Sequence, residues 1–117
     1  MEPTSSTEES AARERVCPHF HAAVELVGRR WAGAILWTLS KGPHYYAELS
    51  CAIPGLSDRL LSQRVRELEA EGLVERTVEE GNGSRPRVSY ALTDKGRALQ
   101  PALQELHDWA GEWKETG

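Results

Sequence analysis

Apolar positions recur at two different periods along this chain, and the change from one to the other falls at Gly72. Before it the spacing is helical. Phe20, Ala23, Val24 and Val27 share one face of a first helix, with Pro18 suited to its opening turn and Gly28 ending the pattern. Trp31, Ile35, Leu36 and Leu39 repeat the period in a second helix, which Gly42-Pro43 stops. A short third helix is expected over roughly residues 45–52, where Tyr46 and Leu49 stand three apart, and Pro54-Gly55 turns the chain after it. Ser57 then offers a hydroxyl to the free amides of a fourth helix, expected to run to Glu71, with Gly72 as the residue that ends it in a left-handed conformation. At about 100° per residue, Leu61, Val65 and Leu68 gather on one side of that helix, and Arg59, Ser62, Gln63 and Arg66 gather on the other.

After Gly72 the period becomes two. Val74 and Val78, then Val88, Tyr90 and Leu92, alternate with polar residues on either side of Gly81-Asn82-Gly83-Ser84, the pattern of a β-hairpin. Its flexible tip leads into Arg85-Pro86-Arg87 and so carries two guanidinium groups. Thr93 caps a last helix, along which Leu99, Leu103, Leu106, Ala110 and Trp113 form a seam resembling that of a coiled coil. Pro101 removes a backbone hydrogen bond there, so a kink or break is expected near Leu99.

Composition narrows the class. The 117 residues, 39% of them hydrophobic, suffice for one domain with a real core. Residues 1–15 are polar, acidic and aperiodic and are expected to form a disordered arm, leaving 16–117 as the folded domain. No apolar run is long enough to span a membrane and the N-terminus lacks the apolar stretch of a signal peptide, so a cytoplasmic protein is expected. The two cysteines, Cys17 and Cys51, are then reduced by default. The net charge of −4 conceals a segregation: residues 29–97 hold eleven Lys/Arg against nine Asp/Glu, and the flanks hold three against nine. A basic surface on an acidic frame has that distribution.

The order of elements, three short helices, a turn, a capped helix with a polar outer face and a hairpin with a basic tip, is that of a winged helix-turn-helix: an α+β fold, mainly helical. Such a helix fits the major groove of B-DNA, where arginine pairs bidentately with guanine and glutamine with adenine. Arg59, Gln63 and Arg66 are candidate base readers, Ser57 and Ser62 candidate phosphate ligands, and Arg85 and Arg87 candidate wing contacts. Basic residues at the entering end and Glu67, Glu69 and Glu71 beyond it give the helix the polarity that DNA requires. The final seam needs a partner, and within one chain only Phe20 and Val24 of the first helix are available. A two-fold homodimer using Phe20, Val24, Leu99, Leu103, Leu106, Ala110 and Trp113 satisfies both sets. The competing reading is a winged helix that binds protein without sequence-specific DNA recognition.

Cys17-Pro18, Gly28-Arg29-Arg30-Trp31, Ile53-Pro54-Gly55-Leu56-Ser57, Gln63-Arg64-Val65-Arg66-Glu67-Leu68, Gly72-Leu73-Val74-Glu75-Arg76, Pro86-Arg87-Val88 and Tyr90-Ala91-Leu92-Thr93 occur in this order. As an ordered set they resemble the HxlR-type regulators over about residues 15–114. The resemblance implies a homodimeric DNA-binding repressor or activator, dimerised through its first and last helices and in some members answering a small-molecule, oxidant or electrophile signal. It makes Cys17 a candidate sensor thiol, with Cys51 or the partner's Cys17 as the second thiol of a disulfide. A helix N-terminus and neighbouring His19, His21, Arg13 and Arg15 would favour the thiolate, whereas a packing role as a small hydrophobe is the alternative. Trp37, Ser50-Cys51 and the glycine-rich wing depart from the family pattern. Trp37 is expected on the partner subunit, in a ligand cavity with Tyr45 and His44, or in a second layer of the core. His107, beside the last seam, is expected as a polar residue of the dimer interface.

No phosphate-binding glycine loop, acid/base pair or nucleophile elbow is present, so neither an enzyme nor a cofactor is expected. The triplet Cys17-x-His19-x-His21 would splay its ligands where a helix begins, and no metal is expected there.

Overall fold

The computed structural model describes residues 15–81, 83 and 85–113. The expected arm therefore lies outside the described residues except for Arg15, as do Asn82 and Ser84 of the hairpin tip.

Helix α1, Pro18–Val27, starts with proline in its first turn and ends at Gly28. Helix α2, Ala32–Leu39, starts from Trp31, the one non-glycine residue with positive φ (76°) among those described. A residue with a Cβ in that region is strained by about 1 kcal/mol or more. The indole is held where a Cβ on Gly55 would be 3.6 Å from it, so Trp31 bridges the start of α2 and the turn before the fourth helix. Helix α3, Tyr46–Ala52, follows a two-residue strand β1, His44–Tyr45. That strand is a correction to the expected helix start: Tyr45 is extended (ψ 157°), and its amide is capped by the Glu48 carboxylate at 2.8 Å. Helix α4, Asp58–Ala70, has the expected cap, with Ser57 Oγ accepting from the Leu60 amide. Gly72 (φ 79°) reverses the chain, and the Leu73 amide returns to the Leu68 carbonyl.

Strands β2, Val74–Glu79, and β3, Arg87–Leu92, form the hairpin in the register Val74↔Leu92 to Glu79↔Arg87, and β1 pairs with the other edge of β3. Thr93 Oγ1 caps helix α5, Asp94–Ala98, by accepting from the Gly96 amide. The expected break occurs at Leu99, and helix α6, Gln100–Trp113, begins beyond it. Pro101 thus stands in the first turn of a new helix, where its missing N–H costs nothing.

The core lies where α2, α3 and α4 meet the inner face of the sheet. Ile35, Leu36, Leu49, Leu61, Val65, Leu68 and Val74 are fully buried, with Tyr90 and Leu92 contributed by β3. Leu103 of α6 belongs to this core. Its placement corrects the sequence reading that put it on the dimer seam: the break at Leu99 turns the first part of α6 onto the protomer's own α2.

Candidate nucleic-acid interface

Two hydrogen bonds set α4 against α3, and a third caps α4 itself. Tyr46 donates its hydroxyl to the Asp58 carbonyl at 2.9 Å, Ser50 Oγ donates to Asp58 Oδ1 at 3.2 Å, and the cap on Ser57 fixes the first turn. Burial and the nearby Asp58 carboxylate push the Tyr46 phenol up from its ordinary value, so this hydroxyl remains a donor at physiological pH. With Leu61, Val65 and Leu68 buried, the opposite face of α4 presents Arg59, Gln63 and Arg66 to solvent, with Ser62 half-buried between them.

The donors differ in how they are held. Among the described residues Arg59 makes no side-chain hydrogen bond. Gln63 donates to Glu67 at 3.3 Å. Arg66 folds back along the helix, placing Nε 3.2 Å from the Ser62 carbonyl and Nη2 3.2 Å from Ser62 Oγ. Glu67 is also the anchor for Arg64 at 3.1 Å and for Arg29 at 3.2 Å, and Arg64 in turn donates to the Arg30 carbonyl at 2.9 Å. Partial desolvation pushes the Glu67 carboxyl up, but the Gln63 amide and the Arg64 and Arg29 guanidiniums outweigh it and hold the group below the ordinary carboxylate range. This network ties α4 to the loop between α1 and α2. It was not legible in the sequence, because residues 38 apart carry no periodic signal of their contact.

The wing is braced from the side by Tyr45. Its hydroxyl donates to Glu79 at 3.0 Å, and the Arg87 guanidinium carbon lies 3.6 Å from the centre of its ring. Glu79 and Arg87 are the last cross-strand pair of the hairpin, so one aromatic residue of β1 holds both strands of the wing stem. The bond to Glu79, reinforced by that carboxylate's charge, raises the Tyr45 phenol above its ordinary value. Arg87 is therefore stacked at the base of the wing, while Arg85 is exposed nearer the tip.

Between wing and helices run two adjoining clefts. The larger, about 530 Å³, is bordered by Tyr45, Tyr46, Arg76, Arg85, Arg87 and Tyr90 among others. The second, about 370 Å³, is bordered by Ser62, Arg66, Glu69, Arg76 and Tyr90. They share Arg76 and Tyr90, so Ser62 and Arg66 of α4 border a cleft that adjoins the one bordered by the wing arginines, while Arg59 and Gln63 border neither. Sequence reasoning missed Arg76. The signal was present in the alternation, since position 76 lies on the same strand face as Val74 and Val78.

The remaining candidates are dispersed. Cys17, at the N-cap of α1, and Cys51, on α3, are both exposed free thiols, and neither is packed in the protomer's core. Trp37 and Tyr45 have different partners, contrary to the expected shared aromatic pocket: Trp37 stacks on His107 of α6 at 4.4 Å with the Lys41 ammonium 4.1 Å from its ring centre. It is half-buried against the core, and His107, expected at a dimer interface, is its stacking partner within the protomer. Phe20 (63% exposed), Val24, Leu106 (60%) and Trp113 stay open to solvent on α1 and α6, and Trp109 joins them; Leu99 and Ala110 are half-buried. No helix among the described residues is long and apolar enough to cross a membrane, and those residues hold no group of three or more potential metal ligands.

The profile of the HxlR-like helix-turn-helix family matches residues 26–117. The uncharacterized HTH-type transcriptional regulator YvaP of Bacillus subtilis is 43% identical over 101 residues, covering 86% of this chain and 92% of that protein. The HTH-type transcriptional regulator YodB of the same organism is 39% identical over 102 residues, covering 87% and 89%. The solved structure of the reduced form of YodB superposes with a TM-score of 0.74 over 88% of this chain and 99% of that one. The redox regulator HypR in its oxidized form gives 0.77 at 29% identity, covering 86% and 100%. YodB structures in diamide-treated and quinone-bound forms are similar as well.

Proposed function

From the premise that this chain belongs to the HxlR-like helix-turn-helix family of transcription regulators, whose members bind DNA and act as dimers, we propose that it occupies a palindromic operator as a homodimer and acts as a repressor. The observation that carries the proposal is the pair of adjoining clefts linking Ser62 and Arg66 of α4 to the wing arginines, beside the exposed Arg59 and Gln63 on the same helix. Arg59, Gln63 and Arg66 lie on the helix that enters the major groove, Ser57 and Ser62 lie toward the phosphates, and Arg85 extends from the wing, with Arg87 at its base. The exposed apolar residues of α1 and α6 supply the two-fold contact, with Phe20, Val24, Leu106 and Trp113 at its centre and Leu99 and Ala110 at its edge. Nothing in the relatives favours the protein-binding alternative, and the donor face is intact. A gel shift against the intergenic DNA beside the gene, at two salt concentrations, tests this reading. Retarded complexes that weaken as salt rises support it, and an unshifted duplex at micromolar protein refutes it.

A signal input rests on a separate observation, the exposure of both thiols together with similarity to regulators solved in oxidized, diamide-treated and quinone-bound states. In this reading an oxidant or electrophile modifies Cys17, and oxidation pairs it with Cys51 or with the partner's Cys17, changing the spacing of the two α4 helices and operator affinity. Diamide supplies the two-electron oxidation. Cys17→Ser should lose the affinity change and the disulfide-linked species on non-reducing gels, and an unchanged response would assign the signal elsewhere.

A further inference from the structure

The arginine that sequence reasoning overlooked occupies an unusual position. Strand alternation puts Arg76 on the face of β2 that carries Val74, which is 2% exposed and in the core, and its cross-strand partner on β3 is Tyr90, which is 6% exposed. Arg76 itself is exposed, at the open margin of that face where the core ends. Among the described residues Arg76 has no ion pair and no side-chain hydrogen bond. It borders both clefts between α4 and the wing, and in the smaller one it stands with Arg66. Two guanidiniums there face a single carboxylate, Glu69, and Arg85 and Arg87 border the adjoining cleft.

Like charges gathered around a cleft destabilise the free protein and favour an anion that fits between them. Arg66 already has its Nε and Nη2 turned onto Ser62, which fixes the orientation of its guanidinium without neutralising it. Tyr46 lies close enough for the charge of Arg66 to lower its phenol's pKa slightly, against the larger upward effect of burial, and its hydroxyl is committed to Asp58. The cleft lies between the element that enters the major groove and the element that reaches the next groove, and between two such grooves a duplex presents its sugar-phosphate backbone.

We propose that Arg76 and Arg66 form a clamp for one operator phosphate, seated in the cleft between α4 and β2 and bound through charge-assisted hydrogen bonds. The proposal rests on the DNA-binding reading above and adds to it a sequence-independent contact, which fixes how deeply α4 sits in its groove. It assigns Arg66 to the backbone and leaves Arg59 and Gln63 as the base readers of α4.

The test is fluorescence anisotropy with the full-length protein, a duplex from the intergenic DNA and a scrambled duplex of equal length, each across a series of KCl concentrations. Arg76→Gln should weaken both duplexes by the same factor, about tenfold at low salt, and should reduce the salt slope by roughly one. Arg76→Lys should keep the slope. The same duplex carrying single neutral methylphosphonate linkages should reveal one linkage per half-site whose neutralisation weakens the parent but adds no further loss to Arg76→Gln. The loss at that linkage is read on the parent alone, and the absence of a further loss is read on Arg76→Gln, or on Arg76→Ala if that protein does not fold. Parental affinity and slope in a folded Arg76→Gln protein, or a loss confined to one sequence, would overturn the clamp while leaving DNA binding in place. A parent that binds neither duplex would overturn both.

Discussion

Replacing one of two glycines by alanine should move stability in opposite directions, and the sign follows from what the new methyl group would meet. At Gly96 in α5, a Cβ would lie 2.2 Å from the Leu73 carbonyl oxygen and 3.1 Å from its carbonyl carbon. These are backbone atoms of the turn entering the wing, and that same carbonyl accepts from the Thr93 amide at 3.0 Å. Relief of more than an ångström requires α5 to withdraw, which also strains the Thr93 cap and the bond from Arg97 to the Leu92 carbonyl. Alanine returns about 1 kcal/mol of helix propensity. Overpacking against rigid backbone costs about 1–3 kcal/mol, and a compromised cap about 1 more, so a net loss of about 1–3 kcal/mol is expected. Gly111, in α6, has nothing within 4 Å of the equivalent position, and alanine there should stabilise by about 0.5–1 kcal/mol. Thermal melting followed by far-UV circular dichroism separates the cases, since 1 kcal/mol shifts the midpoint of a domain this size by roughly 4–8 °C. Because α5 abuts the root of the wing, Gly96→Ala should also weaken operator binding, whereas Gly111→Ala should not. A Gly96→Ala protein that melts at or above the parental temperature would refute the packing argument.

Arg59→Ala and Gln63→Ala should each cost on the order of 1–3 kcal/mol of specific binding and relax sequence preference, with unchanged helical content; operator affinities equal to the parent's in both variants would place the reading face elsewhere. Leu106→Asp introduces a charge at a position 60% exposed in the protomer, so it should leave the fold intact and yield monomers by light scattering, and a persistent dimer at micromolar concentration would remove this residue from the interface. Glu67 titrates below the ordinary carboxylate range when folded, so its contribution is present above that range and is lost as pH falls through the depressed value. Glu67→Gln should therefore destabilise by about 1 kcal/mol near neutrality and show a weaker decline of stability in acid, and equal acid sensitivity in the two proteins would contradict that role.

The helices, their caps and the hairpin were legible in the sequence because each is specified locally. Ser57 and Thr93 cap the helices they precede, Gly72 takes the positive φ that only a residue without a Cβ adopts easily, and the donors of α4 lie opposite Leu61, Val65 and Leu68 by helical geometry alone. Even the break at Leu99 is local, since it follows from a proline that cannot continue a helix. Everything that depends on residues distant in the chain was decided by tertiary packing. Two residues make a strand only because β3 offers a free edge, so β1 carried no periodic signal. Leu103 continues the seam in sequence, yet the direction of α6 after the break sends it into the core. Trp37 and Tyr45 could not be parted by inspection, because their stacking partners His107 and Arg87 lie on elements that only the fold brings near. Arg76 stood in plain alternation with two valines, but whether that face of β2 is filled or open is set by how far α4 covers the sheet, and the cover ends where the cleft begins.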